Sequence, residues 1–470
     1  MKIILVGAGL VGTHIARELT HEHKDIIIIE KNSETARIIT NELDCMVIND
    51  DGSRLDVLQK VGIEDCDYFI ALTGSDEVNM IACGMVASQF KNTKTIARVR
   101  NPYYGMMLDN HKSFLGIHHI INPEIEAADA IVRSIEEGVS KDVFSLIEDR
   151  VQMRLFRIES NSPFKGKSIQ QVRKEVESDF LIPVLNRENS MMIPSGDTLI
   201  HEGDELYFLG DPTTLDKILG QTLSNKQPLS KIGIIGGTRI GEFVIKKIID
   251  LVHEQHKGLK KIFSSFLRRP EISITVLENS KEKAKALSQL FPKVTIINRD
   301  IGEEDVLEQE EFSKLDLVIS VTESQSLNLV SAMMAKHIGA KKAIALVVNN
   351  SFLKLASTLQ IDHVVSLKAA VVNSILRIIR KANIETIHTF YKDDFELLRL
   401  TLSPRAKPVG KQIRDLNLPK NALILIVLRG SENIVPSGST VLQAGDLVGL
   451  IAKKDVISKL ETIFENTDEL

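Results

Sequence analysis

Two glycine-rich turns, each preceded by a short apolar run, begin two parts of this chain. The first run, Lys2–Val6, leads into the turn at 7–12, and the second, Lys231–Ile235, leads into the turn at 236–241. A helical pattern of apolar residues follows each turn. This order of strand, turn and helix is typical of the start of a nucleotide-binding parallel sheet. The chain is therefore expected to build two such sheets.

The remainder of the chain repeats in the same order, which indicates an internal duplication rather than two unrelated domains. The matched landmarks are Asn49-Asp50-Asp51 with Asn298-Arg299-Asp300, Leu72-Thr73 with Val321-Thr322, Asn79 with Asn328, Gly166-Lys167 with Gly410-Lys411, Pro194-Ser195-Gly196 with Pro436-Ser437-Gly438, and Gly203-Asp204 with Gly445-Asp446.

Each half divides again. Continuous apolar runs alternate with helical patterns up to about residue 135, which predicts an α/β fold with a doubly wound, Rossmann-like parallel sheet. Turn-rich sequence follows and predicts a small α+β module, with strands near 151–158, 181–186, 191–193 and 205–209. We expect Rossmann-like domains at 1–140 and 229–383, and small α+β domains at 141–225 and 384–470, with a polar linker near 221–230.

Composition excludes several classes of protein. A formal net charge of -5 argues against nucleic-acid binding by bulk electrostatics. The three cysteines share no CxxC spacing, so we interpret them as core residues in a reducing compartment, with a metal or redox role as the alternative. No apolar run nears the roughly 18 residues that span a bilayer, and no signal peptide precedes Lys2. The sequence predicts a cytoplasmic protein, which is compatible with peripheral contact with a membrane partner.

The first turn carries a dinucleotide-binding pattern. Gly7 permits the tight turn, Gly9 lets the backbone approach a pyrophosphate, and Gly12 lets the helix pack closely on the strand. The helix that follows offers free N–H groups to phosphates. Glu30 ends the second predicted strand, where a carboxylate accepts hydrogen bonds from ribose hydroxyls and repels the 2′-phosphate of NADP; a solvated strand end is the alternative. The loop residues predicted to bind are Gly7, Ala8, Gly9, Leu10, Val11 and Gly12.

Further candidates follow later strands, at the sheet edge where open α/β sheets bind ligands. Asp51-Gly52 is expected near an adenine edge and Thr73-Gly74 near the phosphates. Arg98 and Arg100 share a strand face, and the planar fork of arginine suits phosphate oxygens. Surface charge without a ligand is the alternative for these two arginines.

Catalysis has no evident machinery in this sequence. The histidines are scattered, with His21 and His23 at the end of a helical pattern and His118-His119 before a short strand. Hydride transfer needs a proton donor or acceptor over a substrate pocket, and the turn-rich module offers no such constellation. We therefore predict no catalytic residue and no metal site, and keep an NAD-dependent dehydrogenase as an alternative that the duplication disfavours.

Together these motifs resemble a known family. Gly7–Gly12, Glu30, Asp50-Asp51-Gly52 and the run Ala71–Asn79 resemble the RCK (KTN) domain, the regulator of potassium conductance, and the Pro-Ser-Gly … Gly-Asp modules resemble its partner, the TrkA-C domain. Two tandem copies of this pair, over essentially the whole chain, are similar to the peripheral subunits of bacterial Trk potassium-uptake systems. The Leu-Thr-Gly-x-Asp-Glu-x-Asn run is specific, whereas the glycine pattern alone is not.

The resemblance implies a regulatory role. It implies a cytosolic ring, expected as a homotetramer, docked on a membrane potassium-translocating subunit of the TrkH or TrkG type. NAD, NADH, ATP or ADP would bind the Rossmann-like domains and shift the ring between conformations that gate potassium flux. A ligand drives such a change only through different affinities for the two states. An RCK-type regulator of another cation transporter or antiporter is the alternative.

The second turn departs from the pattern. Thr238 replaces the middle glycine, and its Cβ is expected to hinder a pyrophosphate. The sequence aligns Arg98 with Val347 and Arg100 with Asn349, so the arginines are missing, although Arg239 is a possible substitute. The second site is predicted to bind nucleotide weakly, differently or not at all. Its candidate residues are Gly236, Gly237, Thr238, Arg239, Ile240, Gly241 and Glu278.

An insertion distinguishes the second half. Residues 257–269 place Leu259, Ile262, Phe263, Phe266 and Leu267 on one helical face among basic residues. A basic amphipathic helix is typical of a membrane surface or a partner site, and an extra helix packed on its own domain is the alternative.

Overall fold

The computed structural model describes residues 1–101, 104, 115–136, 143–147, 150–176, 180–188, 190–219, 229–256, 272–348, 352, 359–380, 384–390, 395–430 and 432–466. These form two compact units that each draw on both halves of the chain, one within 1–133, 230–251 and 271–379, the other within 134–229, 252–270 and 380–470. Most of the predicted linker and the whole amphipathic segment at 257–269 lie outside the described residues. The four-domain division stays a prediction.

The first half begins with a six-stranded parallel sheet in the order β3-β2-β1-β4-β5-β6. The alternation of strands and helices predicted up to about residue 135 is confirmed. The elements are β1 (Lys2–Val6), α1 (Leu10–His21), β2 (Asp25–Ile29), α2 (Ser33–Glu42), β3 (Met46–Ile48), α3 (Leu55–Lys60), β4 (Tyr68–Ala71), α4 (Asp76–Gln89), β5 (Lys94–Arg98), β6 (His119–Ile121) and α5 (Pro123–Glu136).

The continuous apolar strands have a simple cause, which is burial on both sheet faces. Ile3 and Leu5 join one core cluster and Ile4 and Val6 join another, so alternate side chains of β1 serve opposite cores. A strand buried on both faces cannot alternate polar and apolar residues. The sheet edge formed by the carboxyl ends of these strands is thereby held rigid, and the candidate residues lie there.

A small antiparallel sheet follows, in the order β10-β9-β11-β8-β7. Its first strand was not predicted, because periodicity cannot distinguish a five-residue apolar run from a buried helix segment. The Ser168 side chain and Gln171 form a capping box that starts the module's first helix. The elements are β7 (Val143–Ile147), β8 (Val151–Arg157), α6 (Ile169–Glu175), β9 (Phe180–Arg187), β10 (Ser190–Met192), β11 (Glu205–Gly210) and α7 (Pro212–Leu219).

The second half repeats this pair of sheets, with strand orders β14-β13-β12-β15-β16-β17 and β18-β19-β22-β20-β21. The elements are β12 (Lys231–Ile235), α8 (Arg239–His256), β13 (Ser273–Leu277), α9 (Lys281–Leu290), β14 (Thr295–Ile297), α10 (Val306–Gln309), β15 (Leu317–Ser320), α11 (Gln325–Ile338), β16 (Lys342–Val347), β17 (His363–Ser366), α12 (Leu367–Ile379), β18 (Glu385–Thr389), β19 (Phe395–Thr401), β20 (Ala422–Arg429), β21 (Glu432–Ile434), β22 (Leu447–Lys453) and α13 (Ile457–Phe464).

A helix of the second half joins the core of the first Rossmann-like sheet within the first unit. Helix α12 of the second half packs into the core around α1 of the first half, where Val371 and Ile375 join Ile15 in one cluster. In the other direction, Lys247 Nζ of α8 lies 2.6 Å from Asp129 Oδ1 of α5. Each half thus contributes a helix that contacts the other half.

The two antiparallel modules also share a core, within the second unit. Leu146 and Leu209 of the first module join Leu425 and Ile451 of the second in one buried cluster. Gly449 lies at this junction, where an added Cβ would be 2.8 Å from Ile426 Cγ2 and 3.0 Å from Leu146 Cδ2. The absence of a side chain there lets the two sheets approach.

One arginine–aspartate interaction occurs in both antiparallel modules. Arg187 Nε donates to Asp204 at 2.8 Å, and Arg429 Nε donates to Asp446 at 2.9 Å. In each arginine, the Nη2 atom also donates to a backbone carbonyl oxygen, at 2.7 Å. The Gly-Asp landmark of the repeat is therefore structural, since its buried carboxylate receives a two-pronged arginine.

Candidate functional site

The first glycine turn has the geometry that the sequence predicts. Gly7 has φ +94°, and an added Cβ would lie 2.9 Å from Thr73 N. A Cβ on Gly12 would lie 2.1 Å from Gly7 O, so Gly12 allows α1 to pack on the turn. Gly9 is different, because nothing lies within 4 Å of its added Cβ. Its missing side chain leaves open space, which is what a closely approaching ligand requires.

Glu30 is tied to the glycine turn. Its carboxylate accepts a hydrogen bond from Ala8 N at 2.6 Å and another from Asn32 N at 2.8 Å. Asn49 Nδ2 donates to the Glu30 carbonyl at 2.8 Å, which joins the ends of β2 and β3. The carboxylate has further lone pairs for a ribose diol, and its position is fixed by the backbone.

The amino end of α1 has no side-chain cap. Gly9 is the N-cap residue, with φ −69° and ψ −170°, and supplies no side-chain acceptor to the first turn. The unpaired N–H groups of a helix start attract anions. The open space at Gly9 and the uncapped helix start together form a cradle that fits a pyrophosphate.

Asp51 and Gly52 follow β3, as the sequence predicts. Asp51 accepts hydrogen bonds from Ser53 and from Lys31 Nζ, at 2.9 Å for the lysine, and these donors hold the pKa of the carboxyl well below its ordinary value. A Cβ on Gly52 would lie 2.4 Å from Val6 Cγ1. Gly52 is thus required for packing beneath the sheet edge, and Asp51 is already paired at the surface. Their adenine contact stays a prediction.

Asn79 organises the phosphate side and was not predicted as a site residue. It is fully buried; its Oδ1 accepts from Thr73 N at 2.9 Å and its Nδ2 donates to Arg98 O at 2.8 Å. The same side chain accepts from the Thr73 hydroxyl, which commits the hydroxyl proton, and the predicted contact of Thr73 with phosphates stays a prediction. Gly74, next in the chain, has nothing within 4 Å of an added Cβ. The recurrence of Asn79 as Asn328 was the available signal.

The two arginines lie at the end of β5. Arg98 is half-buried, and its Nε is buried without a hydrogen-bond partner among the described residues. Burial, followed by the charge of Arg100, lowers the pKa of Arg98. The backbone N–H of Arg100 donates to Asp76 at 3.0 Å. A buried donor without an acceptor is rare in proteins, and an anionic ligand would supply the missing acceptor.

The second turn repeats the backbone of the first. Gly236 has φ +106°, and a Cβ on Gly241 would lie 2.5 Å from Gly236 O. Glu278 accepts from Gly237 N at 2.5 Å and from Ser280 N at 2.8 Å, matching Glu30. The backbone contacts of the predicted ribose-binding carboxylate are therefore retained, although Glu278 is only 5% exposed.

Thr238 changes the other end of the second cleft. Its hydroxyl donates to Val321 O at 2.7 Å and accepts from Gly241 N at 3.3 Å. The side chain therefore caps α8, which takes up an N–H group that Gly12 leaves available in α1. We therefore expect this cap, as well as the bulk of the Cβ, to hinder a pyrophosphate.

The strand that follows shows a one-residue error in the sequence alignment. Ala71 pairs with Ala97, and the equivalent Ser320 pairs with Ala345, so the next residue, Leu346, is the counterpart of Arg98. Asn328 Nδ2 donates to Leu346 O at 3.0 Å, as Asn79 does to Arg98. The alignment of Arg98 with Val347 was therefore wrong by one residue. Neither Leu346 nor Val347 is cationic, so the arginine is missing in either alignment. Asn349 lies outside the described residues.

Arg239 does not line the second cavity, as far as the described chain shows. It lies instead near Glu124 of the first half. Burial raises the pKa of Glu124, and the charges of Arg239 and Arg100 oppose that rise. The position of Arg239 therefore does not support the idea that it replaces the missing arginines in the second cleft.

The other predicted features are simple to place. Burial raises the pKa of Cys66 to about 11 and raises that of Cys83 further, so both thiols stay protonated in the core. In the described segments, no group of three or more His, Cys, Asp or Glu is arranged to hold a metal. Nor does any described helix have the length and apolarity to cross a membrane.

Comparison with known proteins gives the family. The TrkA-N domain family matches residues 3–123 and 261–367, and the TrkA-C domain family matches 153–220 and 397–465. The Trk system potassium uptake protein TrkA homolog 1 of Methanosarcina mazei is 30% identical over 99% of this chain and 100% of its own length. The TrkA homolog of Archaeoglobus fulgidus is 30% identical over the same shares, and TrkA of Vibrio alginolyticus is 27% identical over 99% of both chains.

Solved structures share the fold. The GsuK channel bound to NAD matches with a TM-score of 0.50 and 17% identity, over 98% of this chain and 79% of the channel. The GsuK RCK domain matches with a TM-score of 0.50 and 18% identity, over 98% of this chain and 94% of that one. The duplicated domains, the turn chemistry and the full-length relatives agree, and the chain belongs to the TrkA family of Trk system potassium uptake proteins.

Proposed function

We propose that this chain is the nucleotide-binding regulatory subunit of a Trk-type potassium-uptake system. The observation that carries the proposal is the first cleft, where Glu30, the uncapped start of α1 and the unpartnered Nε of Arg98 converge on one sheet edge. Membership of the TrkA family indicates a potassium-uptake system, and the first cleft would bind the nucleotide that regulates it.

The ligand proposed for the first cleft is NAD or NADH, with ATP and ADP as competitors that share its adenosine diphosphate part. Glu30 would accept hydrogen bonds from the ribose hydroxyls, and the N–H groups after Gly9 would receive the pyrophosphate. Arg98 and Arg100 would pair with phosphate oxygens. Gly9 and Gly74 leave room for this approach, since a Cβ on either meets nothing within 4 Å.

We propose self-association into a ring, with a homotetramer as the expected size. Equivalent helices α4 and α11 expose apolar side chains in both halves: Ile81 is 62% exposed, its counterpart Val330 44%, and Met334 42%. Apolar residues that recur at equivalent exposed positions are typical of a surface that another subunit covers. Ring symmetry would let the subunit act on a pore through a docked membrane partner of the TrkH or TrkG type.

The proposal excludes chemistry on the nucleotide. Glu30 accepts hydrogen bonds from two backbone N–H groups, and the sequence offers no proton donor or acceptor constellation over a substrate pocket. A turnover assay with NAD and NADH, over candidate alcohols and carbonyl compounds, tests this directly. We expect no hydride transfer, and measurable oxidation or reduction would support the dehydrogenase alternative.

Calorimetric titration tests the binding role. Wild-type protein should bind NAD, NADH, ATP and ADP, each in competition with the others, and Glu30→Ala should lose at least about tenfold in affinity, as expected when a hydrogen bond to a charged group is removed. Co-purification with a potassium-translocating membrane subunit tests the partner. Recovery with an antiporter instead would favour an RCK-type regulator of another system.

A further inference from the structure

The second cleft retains the parts that hold a ribose. Glu278 ends β13, as Glu30 ends β2, and makes the same two backbone contacts. Asn298 Nδ2 donates to Glu278 O at 2.8 Å and to Asn279 O at 3.0 Å, as Asn49 does in the first half. A carboxylate held at this point of a parallel sheet accepts hydrogen bonds from a ribose diol.

The same cleft has lost the parts that hold phosphates, through three independent changes. Thr238 caps the helix start, Leu346 stands where Arg98 provides a guanidinium, and Glu323 follows Thr322 where Gly74 follows Thr73. Glu323 lines the cavity, and its carboxylate already occupies Lys283, the lysine that an incoming phosphate would need. Each change alone weakens anion binding, and together they oppose a diphosphate.

The cationic side chains of the cavity do not compensate. Lys283 Nζ lies 2.9 Å from Glu323 Oε1, and Arg299 contacts Glu303 at 2.5 Å and Glu310 at 3.4 Å. Both cations are thus neutralised by carboxylates that a phosphate would have to displace. The cavity has a volume of about 220 Å³, below the roughly 300–1,000 Å³ of pockets that enclose larger ligands. A small ligand without net negative charge suits this space.

We propose that the second cleft is a binding site for an unphosphorylated ribonucleoside, held through its ribose diol by Glu278 and selected against phosphates by Thr238 and Glu323. The inference stands apart from the identity of the nucleotide in the first cleft. It assigns the two halves of the duplication to ligands of different charge.

Equilibrium dialysis of the full chain with labelled adenosine tests the proposal. A Glu30→Gln background weakens the first cleft about tenfold, and at adenosine concentrations that leave that cleft largely empty, one adenosine should still bind per chain. Adding Glu278→Gln should weaken that binding at least about tenfold. With Glu278 unchanged, 2′-deoxyadenosine should also bind at least about tenfold more weakly, because the carboxylate loses a hydroxyl partner. ADP should fail to displace adenosine.

A gain of function provides a second arm. In the same background, Thr238→Gly with Glu323→Gly should allow ADP to compete with adenosine. The proposal is overturned if adenosine binding is absent at millimolar concentration, if it is indifferent to both Glu278→Gln and removal of the 2′-hydroxyl, or if ADP displaces adenosine from the unaltered second cleft. NAD titration of the Glu278→Gln single variant reports separately on the first cleft, so failure of one role is distinguishable from failure of the other.

Discussion

The backbone N–H of Ala8 donates to the carboxylate of Glu30 at 2.6 Å. This bond joins the glycine turn to the end of the neighbouring strand, so the acid and the phosphate cradle are positioned by the same contact. A nucleotide that meets Glu30 therefore meets a preset turn, and less ordering is needed on binding. The equivalent pair in the second half, Gly237 and Glu278, makes the same bond.

Replacement of this acid should weaken the first site in a graded way. Glu30→Gln retains the shape but leaves one oxygen for two backbone donors, so we expect about tenfold weaker NAD binding and an unfolding free energy lower by about 1–2 kcal/mol. Calorimetry and chemical denaturation measure the two effects. Glu34→Gln, in the first turn of α2, is the matched control and should change NAD affinity little. Equal losses in the two variants would contradict the role given to Glu30.

Gly9→Thr should convert the first cleft into a copy of the second. Gly9 has an ordinary negative φ and open space, so folding should tolerate the change, and a new helix cap adds up to about 1 kcal/mol of stability. Binding of NAD and ADP should nevertheless fall at least about a hundredfold, because the side chain fills the cradle. Gly7→Ala provides the contrast: with φ +94° and a Cβ close to Thr73, it should lower the thermal midpoint. Unimpaired ADP binding by Gly9→Thr is the result that would refute this reading.

Asp316 should contribute stability that acid removes. It accepts hydrogen bonds from Ser230 and Lys231 and lies 2.8 Å from Lys341 Nζ. Burial raises the pKa of its carboxyl, but these donors outweigh burial and lower it from 3.8 to about 2. Because the pKa is lowered in the folded state, the contribution is complete above about pH 5 and is lost as the pH falls towards 2.

Asp316→Asn should therefore lower the unfolding free energy by about 2 kcal/mol at pH 7, and the difference from wild type should shrink below pH 4. Urea denaturation at a series of pH values measures this. Asp197→Asn, at an exposed turn position, should leave the curve nearly unchanged. A constant difference across the whole pH range would show that Asp316 acts through packing alone.

The junction of the small modules should resist any side chain at Gly449. An alanine there forces Ile426 or Leu146 to move, at a cost of about 1–3 kcal/mol. Gly438→Ala places its Cβ 3.4 Å from Arg414 Cβ and should cost much less. Differential scanning calorimetry compares the two variants. Equal thermal midpoints would mean that the modules separate readily.

The sequence was sufficient for the local architecture of the first site. The apolar runs predict the strands, and Gly7, Gly12 and Glu30 occupy the positions that their pattern requires, because turn geometry and strand order are local properties. The roles of Thr73 and Gly52 were not predictable, since they depend on what each side chain meets after folding. Thr73 turns into Asn79, and Gly52 packs against Val6.

Long-range relations were also beyond the sequence. Nothing in the pattern of α12 shows that it joins the core around α1, because its apolar face would fit its own domain equally well. The alignment of Arg98 was displaced by one residue because a strand of apolar residues contains no internal marker. The strand pairing settles it, since Ala97 pairs with Ala71 and Ala345 with the equivalent Ser320. The cap formed by Thr238 likewise could not be predicted from the sequence, because it depends on where the hydroxyl points after folding.

The exchange of helices between the two halves has a consequence for how such a protein diversifies. When two identical subunits exchange helices, one gene segment encodes both clefts. A mutation in that segment therefore changes both clefts together. Fusion into a single chain removes that constraint, because each cleft is then encoded separately and mutates alone. The two clefts are still present in a one-to-one ratio, since one chain carries both. One cleft is free to lose its affinity for anions without any cost to the other.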